Sequence, residues 1–327
     1  MAGKPQRMGL TRVVLPLCAC ALGASAAAQS YPARPIRLVV ASAPGGGNDF
    51  VARAMNAKLA ELLGTTVVVD NRGGVGGLVA ADLIAQAAAD GYSLLQIPSN
   101  FVILPGMHRK LPFDVVKDFA PVVNVASTPL MLVVHPSLPA ATVPQLIELA
   151  QVRKGALNFA SPGVGSIGHL AGELFKHTTK AGMQHVPYKG GGPSLIAVAG
   201  NEVELTFSTL PTAIAQVKAG RLRSLGVTSA KRSAIAPQVP TIAEQGLPNF
   251  DVVTWIGMFA PAATPLSVVN ILNANVNKAL ALTQIREHFL ASGVEAEGGT
   301  PKQFAAQVKQ DVEKWGAMSA QAGIRPE

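Results

Sequence analysis

Three glycine-rich turns are the segments of this sequence whose residue types best suit the binding of an anion. They are Pro44 to Asp49, Ser161 to His169, and Tyr188 to Ser194. Glycine lets the backbone approach a ligand closely, and a helix that begins after such a turn offers unpaired N–H groups and a positive dipole end. A single turn of this kind can serve chain geometry alone. Three of them, in two different sections of the chain, favour a carboxylate or phosphate held between two lobes.

The second turn also has the spacing of a dinucleotide-binding motif, because Gly163, Gly165 and Gly168 spell G-x-G-x-x-G. This makes an NAD-dependent oxidoreductase the competing interpretation. Such a site needs an acidic residue about 20 residues further on, at the end of the next strand. The corresponding stretch, Gln184 to Lys189, contains no acid. We therefore rank the oxidoreductase below a binding protein.

Patterns for other covalent or metal chemistry are absent from the sequence. There is no G-x-x-x-x-G-K-[ST] phosphate loop, and Ser166 lacks the glycine two positions earlier that a nucleophile elbow requires. The histidines include no H-E-x-x-H, and both cysteines, Cys18 and Cys20, lie near the N-terminus. We therefore expect no metal, no cofactor and no enzymatic activity.

Several side chains near the turns allow two interpretations. His169 either points into a cleft or packs against its own turn, and the sequence favours neither. Asp49 either binds ligand or caps the following helix, and we favour capping. Lys189 and Arg72 either steer anions or are solvated loop cations, and Trp255 lines a cleft or belongs to the core. We favour solvation for the two cations and the core for the tryptophan.

Short β-rich segments alternate with amphipathic helical segments, which predicts an α/β protein with mostly parallel sheets. The predicted strands are 36–41, 66–70, 93–97, 122–126, 131–134, 157–160, 183–186, 203–207, 222–228 and 252–259. The last predicted helix is opened by Thr300 and Gln303 in a capping-box pattern. The simplest arrangement is two α/β lobes joined by strands that cross near 127–128 and 253–254. A single large doubly wound sheet is the alternative.

The N-terminus predicts export. Three cations and no acid precede an apolar segment, Val13 to Ala24, which is shorter than the ~20 residues that span a bilayer. Small residues follow it, as at a signal-peptidase site. We expect a signal peptide over residues 1–28, cleaved near residues 26–29, and a mature protein in the periplasm. A retained helix and a lipid anchor at Cys20 are the weaker alternatives.

The composition suits a globular protein that binds small anions. Charged residues make up 14% and aromatic residues 5% of the chain, and the formal net charge is +8, or +5 without the three signal-peptide cations. A moderate positive charge helps to attract anions. Because these charges form no basic stripe with interleaved aromatic residues, we expect no nucleic-acid partner.

The order of these motifs resembles that of the substrate-binding receptors of tripartite tricarboxylate transporters, also called the Bug family. The similarity runs from about Tyr31 to the C-terminal helix. The segments that carry it are Pro44–Asp49, Val69–Gly77, Asp90–Leu95, Leu111–Asp114, Ser161–Leu170, Val186–Pro193, Lys218–Arg223 and Phe259–Pro261.

The resemblance implies a type II periplasmic binding protein with two α/β lobes and a ligand cleft between them. Lobe one would comprise residues 30–128 plus 253–327, and lobe two residues 129–252. Such a receptor captures a small organic carboxylate and delivers it to the membrane permease subunits of the transporter. We expect it to act as a monomer without a cofactor. A periplasmic sensor subunit for a signalling kinase is an alternative with the same binding chemistry.

Carried over by motif, the resemblance also implies a ligand site with residues from both lobes. The implied residues are Ser42, Pro44, Asn48, Asp49, Ser99, Asn100, Thr128, Ser161, Gly165, Ser166, His169, Tyr188, Lys189, Gly190 and Ser208. Two of these positions depart from the family pattern. Ser42 stands where the family often has an aromatic residue, and Ser208 stands where it often has aspartate. The second departure favours a plain carboxylate over an amino acid as ligand.

Overall fold

The computed structural model describes Met1, Gly3 and residues 31–153 and 157–324. The fold given below is that of residues 32–324. Most of the predicted signal peptide, including its cations and both cysteines, lies outside the described residues. Export and cleavage therefore stay predictions from the sequence.

Ten strands in the described residues form a continuous hydrogen-bonded network with two parts. The strands are β1 (Ile36–Val40), β2 (Val67–Asn71), β3 (Ser93–Pro98), β4 (Phe119–Val134), β5 (Leu157–Ser161), β6 (Met183–Pro187), β7 (Leu205–Thr209), β8 (Arg223–Val227), β9 (Val253–Pro261) and β10 (Glu295–Gly298). The first part has the order β2-β1-β3-β9-β4, with β10 also on β4, and the second has the order β4-β7-β5-β6, with β8 also on β4. The two parts share β4.

The central strands β4 and β9 make the network mixed, so the prediction of mostly parallel sheets was wrong there. β1 is parallel to β2 and β3, and β5 is parallel to β6 and β7. β9 is antiparallel to β3 and β4, and β4 is antiparallel to β7, β8 and β10. The sequence predicted two short strands where β4 runs unbroken for 16 residues. β4 continues through Pro129, which pairs with Val253 of β9, and the residues that follow it pair with β7.

Helices pack against both parts of the strand network. They are α1 (Gly47–Leu63), α2 (Leu78–Ala85), α3 (Leu104–Met107), α4 (Val143–Val152), α5 (Ile167–Thr179), α6 (Gly191–Ala199), α7 (Leu210–Lys218), α8 (Leu266–Leu280), α9 (Thr283–Ala291) and α10 (Pro301–Gln321), with 3-10 turns at Val75–Gly77 and Ser99–Ile103. The capping box predicted at Thr300 and Gln303 is confirmed at the start of α10. Among the described residues, no helix combines the length and the apolar character needed to cross a membrane.

Aromatic side chains anchor the helices on both parts of the network. In the first part the Phe101 and Phe259 rings lie 5.3 Å apart, and in the second part the Phe175 and Phe207 rings lie 5.8 Å apart. Trp255 is 1% exposed, which confirms its prediction as a core residue. Rings packed edge to face contribute about 0.5–1.5 kcal/mol beyond their burial. This packing holds in place the ends of β3 and β5, from which the candidate site is built.

Candidate functional site

A cavity of about 1060 Å³ opens between the turns that follow β3 and β5. Its first wall consists of Gly76, Pro98, Ser99, Asn100, Ile103, Leu104, Met107, His108, Thr254, Ala322, Gly323 and Ile324. Its second wall consists of Pro162, Gly163, Val164, Gly165, Ser166, Ile167, His169, Glu173, His185 and Thr209. A separate groove of about 820 Å³, between α1 and α9, contains none of the predicted ligand-binding residues. We therefore place the candidate site in the larger cavity.

Five predicted ligand-binding residues line this cavity. They are Ser99, Asn100, Gly165, Ser166 and His169. The first two follow β3, and the other three follow β5 or lie in the first turn of α5. The structure thus brings together two segments that are more than sixty residues apart in the sequence.

On the first wall, a side-chain hydrogen bond fixes the turn after β3. Asn100 Nδ2 donates to the Gly76 carbonyl oxygen at 2.6 Å, which ties the 3-10 turn at 99–103 to the turn at 75–77. Ser99 precedes it and is only 3% exposed. Because one hydrogen of the Asn100 amide is held in this way, the group that faces the cavity has a defined orientation.

On the second wall, serine hydroxyls fold the glycine turn into the start of α5. Ser161 Oγ accepts the Gly163 N–H at 3.1 Å, and Ser166 Oγ donates to the Gly163 carbonyl oxygen at 2.7 Å. Ser166 is also the N-cap of α5, since its Oγ accepts the His169 N–H at 3.3 Å. The N–H groups of Ile167 and Gly168 have no acceptor among the residues that the structure describes. They remain available to an anion at the positive end of the helix dipole.

Close packing accounts for Gly165 and Gly168 in this turn, so a dinucleotide-binding role is not needed to explain them. A methyl group on Gly168 would lie 2.6 Å from the backbone oxygen of Phe207, so α5 can approach β7 only with glycine there. Gly165 has φ +73° and touches the first wall, because a methyl group on it would lie 2.2 Å from Met107 Cε. Met107 and Gly165 therefore form a direct contact between the two walls.

Two stacked imidazoles support the second wall from behind. The rings of His169 and His185 lie 3.8 Å apart and are inclined by 17°. Gly165 N–H donates to His169 Nδ1 at 3.1 Å, and His185 Nε2 lies 2.6 Å from Ser161 Oγ. His169 therefore both lines the cavity and packs against its turn, so the two interpretations of this residue hold together.

Both imidazoles are neutral at pH 7. Burial, followed by the charge of Lys176, lowers the pKa of His169 to about 4. Burial likewise lowers the pKa of His185 to about 4, and the neighbouring His169 adds to that effect. His169 Nδ1 is consequently free to accept the Gly165 N–H, and the proton belongs on Nε2, which lies 3.9 Å from Glu173 Oε1.

The turn at Tyr188, Lys189 and Gly190 lies behind the second wall and not in the cavity lining. Tyr188 N–H donates to the Ser161 carbonyl oxygen and Gly190 N–H donates to the Pro162 carbonyl oxygen, both at 3.0 Å. These bonds brace the glycine turn that does line the cavity. Lys189 is exposed, as the interpretation of a solvated loop cation expects.

The first glycine turn, which contains Ser42, Pro44, Asn48 and Asp49, also lies outside the cavity lining. Asp49 accepts the Gly45 N–H at 2.8 Å and pairs with Arg53 at 2.9 Å. Burial opposes ionisation of Asp49, but hydrogen bonds, led by that from Arg53, outweigh it and hold the pKa of Asp49 below its usual value.

The prediction that Asp49 caps α1 was wrong in detail. Gly46 is the N-cap of α1. The Asp49 carboxylate, at the third helical position, accepts the N–H of Gly45, the residue before the N-cap, because that position faces the preceding turn. Asn48 is held by Gln96 through bonds of 2.8–3.0 Å. Ser42 Oγ is buried and has no partner among the described residues, and Pro44 is exposed.

Thr128 and Ser208 lie in strands next to the cavity and are bonded internally. Thr128 Oγ1 donates to the Gly293 carbonyl oxygen at 3.0 Å, and Ser208 Oγ lies 3.2 Å from Thr212 Oγ1. The neighbouring Thr209 and Thr254 line the cavity instead. Side chains alternate between the faces of a strand, so the shift of one position from Ser208 to Thr209 decides which of the two faces the cavity, whereas Thr254 is the cross-strand partner of Thr128.

Sequence reasoning missed several lining residues, chiefly Met107, Glu173 and His185. Glu173 lies one helical turn after His169, so a helix beginning at Ser166 could have indicated it. His185 and Met107 carry no comparable local signal. His185 reaches the cavity because β6 is parallel to β5, which places it opposite Phe159.

Comparisons with known proteins show the family to which this chain is similar. The family described as tripartite tricarboxylate transporter family receptor matches residues 51–324. BugT of Bordetella pertussis is 34% identical over 324 residues, which is 97% of this chain and 99% of that protein. A UPF0065 protein from the tcbD-tcbE intergenic region of Pseudomonas sp. strain P51 is 39% identical over 287 residues, which is 88% of this chain and 85% of that protein.

Solved structures include close neighbours in fold. Rpa4515 of R. palustris, solved with adipate, is 36% identical with a TM-score of 0.75, over 91% of this chain and 100% of that one. MatC (Rpa3494) from Rhodopseudomonas palustris, with bound malate, is 29% identical with a TM-score of 0.70, over 88% of this chain and 100% of that one. The sequence and the fold agree, and this chain belongs to the tripartite tricarboxylate transporter receptor family.

Proposed function

We propose that this protein is a periplasmic receptor that captures a small organic carboxylate in the cavity and delivers it to the permease subunits of a tripartite transporter. The protein then makes and breaks no covalent bonds, and its substrate leaves unchanged. Family membership supports this proposal, as do relatives of known structure with adipate and with malate.

The observation that carries the proposal is the start of α5 in the cavity wall. Ser166 caps this helix, and the N–H groups of Ile167 and Gly168 lack acceptors among the described residues. Asn100 faces the same cavity from the first wall. Because no lysine or arginine belongs to the described lining, N–H groups of the backbone and side chains, together with hydroxyl groups, would bind an anion there.

Binding at two walls also gives a physical reason for closure. We propose that the first wall moves with residues 30–128 plus 253–327 and the second with residues 129–252. A ligand shifts an equilibrium between open and closed forms only by its difference in affinity for them. A carboxylate that accepts hydrogen bonds from both walls binds the closed form more tightly than the open form. The Met107–Gly165 contact supports a closed arrangement in which the walls touch.

The direct test is calorimetric titration of the protein, freed of co-purified ligand, with mono-, di- and tricarboxylates, amino acids and NAD. We expect at least one carboxylate to bind with micromolar affinity, about −8 kcal/mol. Ser166→Ala should weaken that binding, because it removes the cap that orients the start of α5. Thr142→Ala is the matched control, since Thr142 caps α4 in the same way and lies outside the cavity.

Each cap replacement should cost about 1 kcal/mol of stability. Only Ser166→Ala should also reduce affinity for the carboxylate. Binding of NAD together with no binding of any carboxylate would overturn the proposal. Equal loss of affinity in both variants would show that the start of α5 is not the binding element.

A further inference from the structure

Most of the surface that lines the cavity is apolar. Ile103, Leu104 and Met107 contribute from the first wall, and Val164 and Ile167 from the second. Val164 stands at the crest of the glycine turn, where it is 56% exposed. Ligand sites with mostly apolar walls and few polar groups bind molecules that have an apolar body and a polar head.

The described lining has no lysine or arginine to hold a second carboxylate. Burial keeps two of the three imidazoles in this described lining, those of His169 and His185, uncharged at pH 7, and the third, that of His108, lies half-buried in the first wall. Its one carboxylate, that of Glu173, carries the sign that repels an anion. Lys176 Nζ binds both Glu173 oxygens at 2.9 Å but lines a different groove, on the side of α10.

We infer that the ligand of this receptor is an amphipathic monocarboxylate, with one carboxylate held at the start of α5 and an uncharged apolar body against the remaining walls. The inference rests on the proposed function and narrows it. A second carboxylate would lose its hydration in this cavity without gaining a lysine or arginine of the described lining as its partner. An apolar group in the same place would instead gain from leaving water.

Matched ligand pairs that exchange one carboxylate for a methyl group test the inference. Hexanoate and adipate form one pair, and 4-methylbenzoate and terephthalate form the other. In any pair that shows binding by calorimetry, we expect the affinity for the monocarboxylate to be at least about tenfold higher than that for its diacid. The pairs hold the shape of the ligand nearly constant, so the ratio reports the second charge.

Glu173→Gln gives an independent measurement on the same site. Removing this negative charge should tighten the binding of the diacid, which carries two negative charges, more than that of the monocarboxylate, so the ratio should fall by about threefold or more. Glu202→Gln is the control, because Glu202 is exposed and outside the cavity lining. If Glu173→Gln does not fold, the ratios in the natural protein decide alone.

A diacid that binds as tightly as its monocarboxylate would overturn the inference and leave the proposed function standing. Failure of all four compounds, with binding of malate or citrate, would also overturn it. The proposed function itself fails only when no carboxylate in the wider titration binds. The two failures are therefore distinguishable.

Discussion

Replacing His169 with phenylalanine removes an acceptor from a buried amide while it keeps an aromatic ring beside His185. In the natural protein the Gly165 N–H donates to His169 Nδ1 at 3.1 Å, and this bond is buried. A phenyl ring leaves that N–H without a partner. An unsatisfied buried donor costs about 1–3 kcal/mol, so we expect the free energy of unfolding to fall by this amount at pH 7.

The same substitution should change the pH dependence of stability. The pKa of His169 is lowered from 6.5 to about 4 in the folded protein, so between these values the unfolded chain binds the proton and the folded protein does not. The stability from this group is present above pH 6.5 and is lost as the pH falls toward 4. Between pH 7 and pH 5 the linkage relation gives a loss of about 2 kcal/mol. Phenylalanine binds no proton at this position, so the variant should lose none of this stability. The difference in free energy of unfolding between the natural protein and His169→Phe should therefore nearly vanish at pH 5.

Urea denaturation at the two pH values, followed by circular dichroism, measures these free energies. His177→Gln is the control, because it removes an exposed histidine of the same helix and should keep the difference seen in the natural protein. If the gap between the natural protein and His169→Phe is the same at pH 5 as at pH 7, the neutral imidazole is not the acceptor that holds the turn.

Three further substitutions test other contacts. Gly168→Ala should lower the free energy of unfolding by about 1–3 kcal/mol, measured by heat or urea, because its methyl group would lie 2.6 Å from a backbone oxygen of β7. Gly192→Ala is the control and should not destabilise the protein, because nothing lies within 4 Å of the added methyl group. Trp255→Phe removes the indole N–H that donates to Asp311 Oδ2 at 2.7 Å, and we expect a loss of about 1–3 kcal/mol in urea unfolding. Thr300→Ala should lower the melting temperature through the loss of about 1 kcal/mol of capping, and an unchanged value would contradict the capping box.

Features set by near neighbours in the chain could be predicted from the sequence. Thr300 and Gln303 cap α10 as expected, and Gly64 ends α1 with φ 66°. These signals involve only a few residues that are close in the sequence, so they can be recognised without knowledge of distant contacts. The alternation of strand and helix was recognised for the same reason.

Features set by distant pairing could not be predicted. β4 continues through Pro129 because β9 pairs with β4 up to that residue and β7 pairs with β4 after it. The sequence contains no sign of these partner strands. The cavity depends on the same pairing. Ser166 and Asn100 were predicted for the site by motif, whereas His185 reaches it only through the parallel pairing of β6 with β5. Roles in ligand binding for Ser42, Asn48 and Lys189 stay predictions.

The central claim is that a carboxylate binds at the start of α5 in the cavity between the two walls. A crystal structure of the protein saturated with a carboxylate that calorimetry has shown to bind tests this most directly. We predict carboxylate oxygens within hydrogen-bonding distance of the Ile167 and Gly168 N–H groups, with the rest of the ligand between Met107 and Val164. A carboxylate bound elsewhere, such as in the groove between α1 and α9, with this cavity left to solvent, would contradict the account.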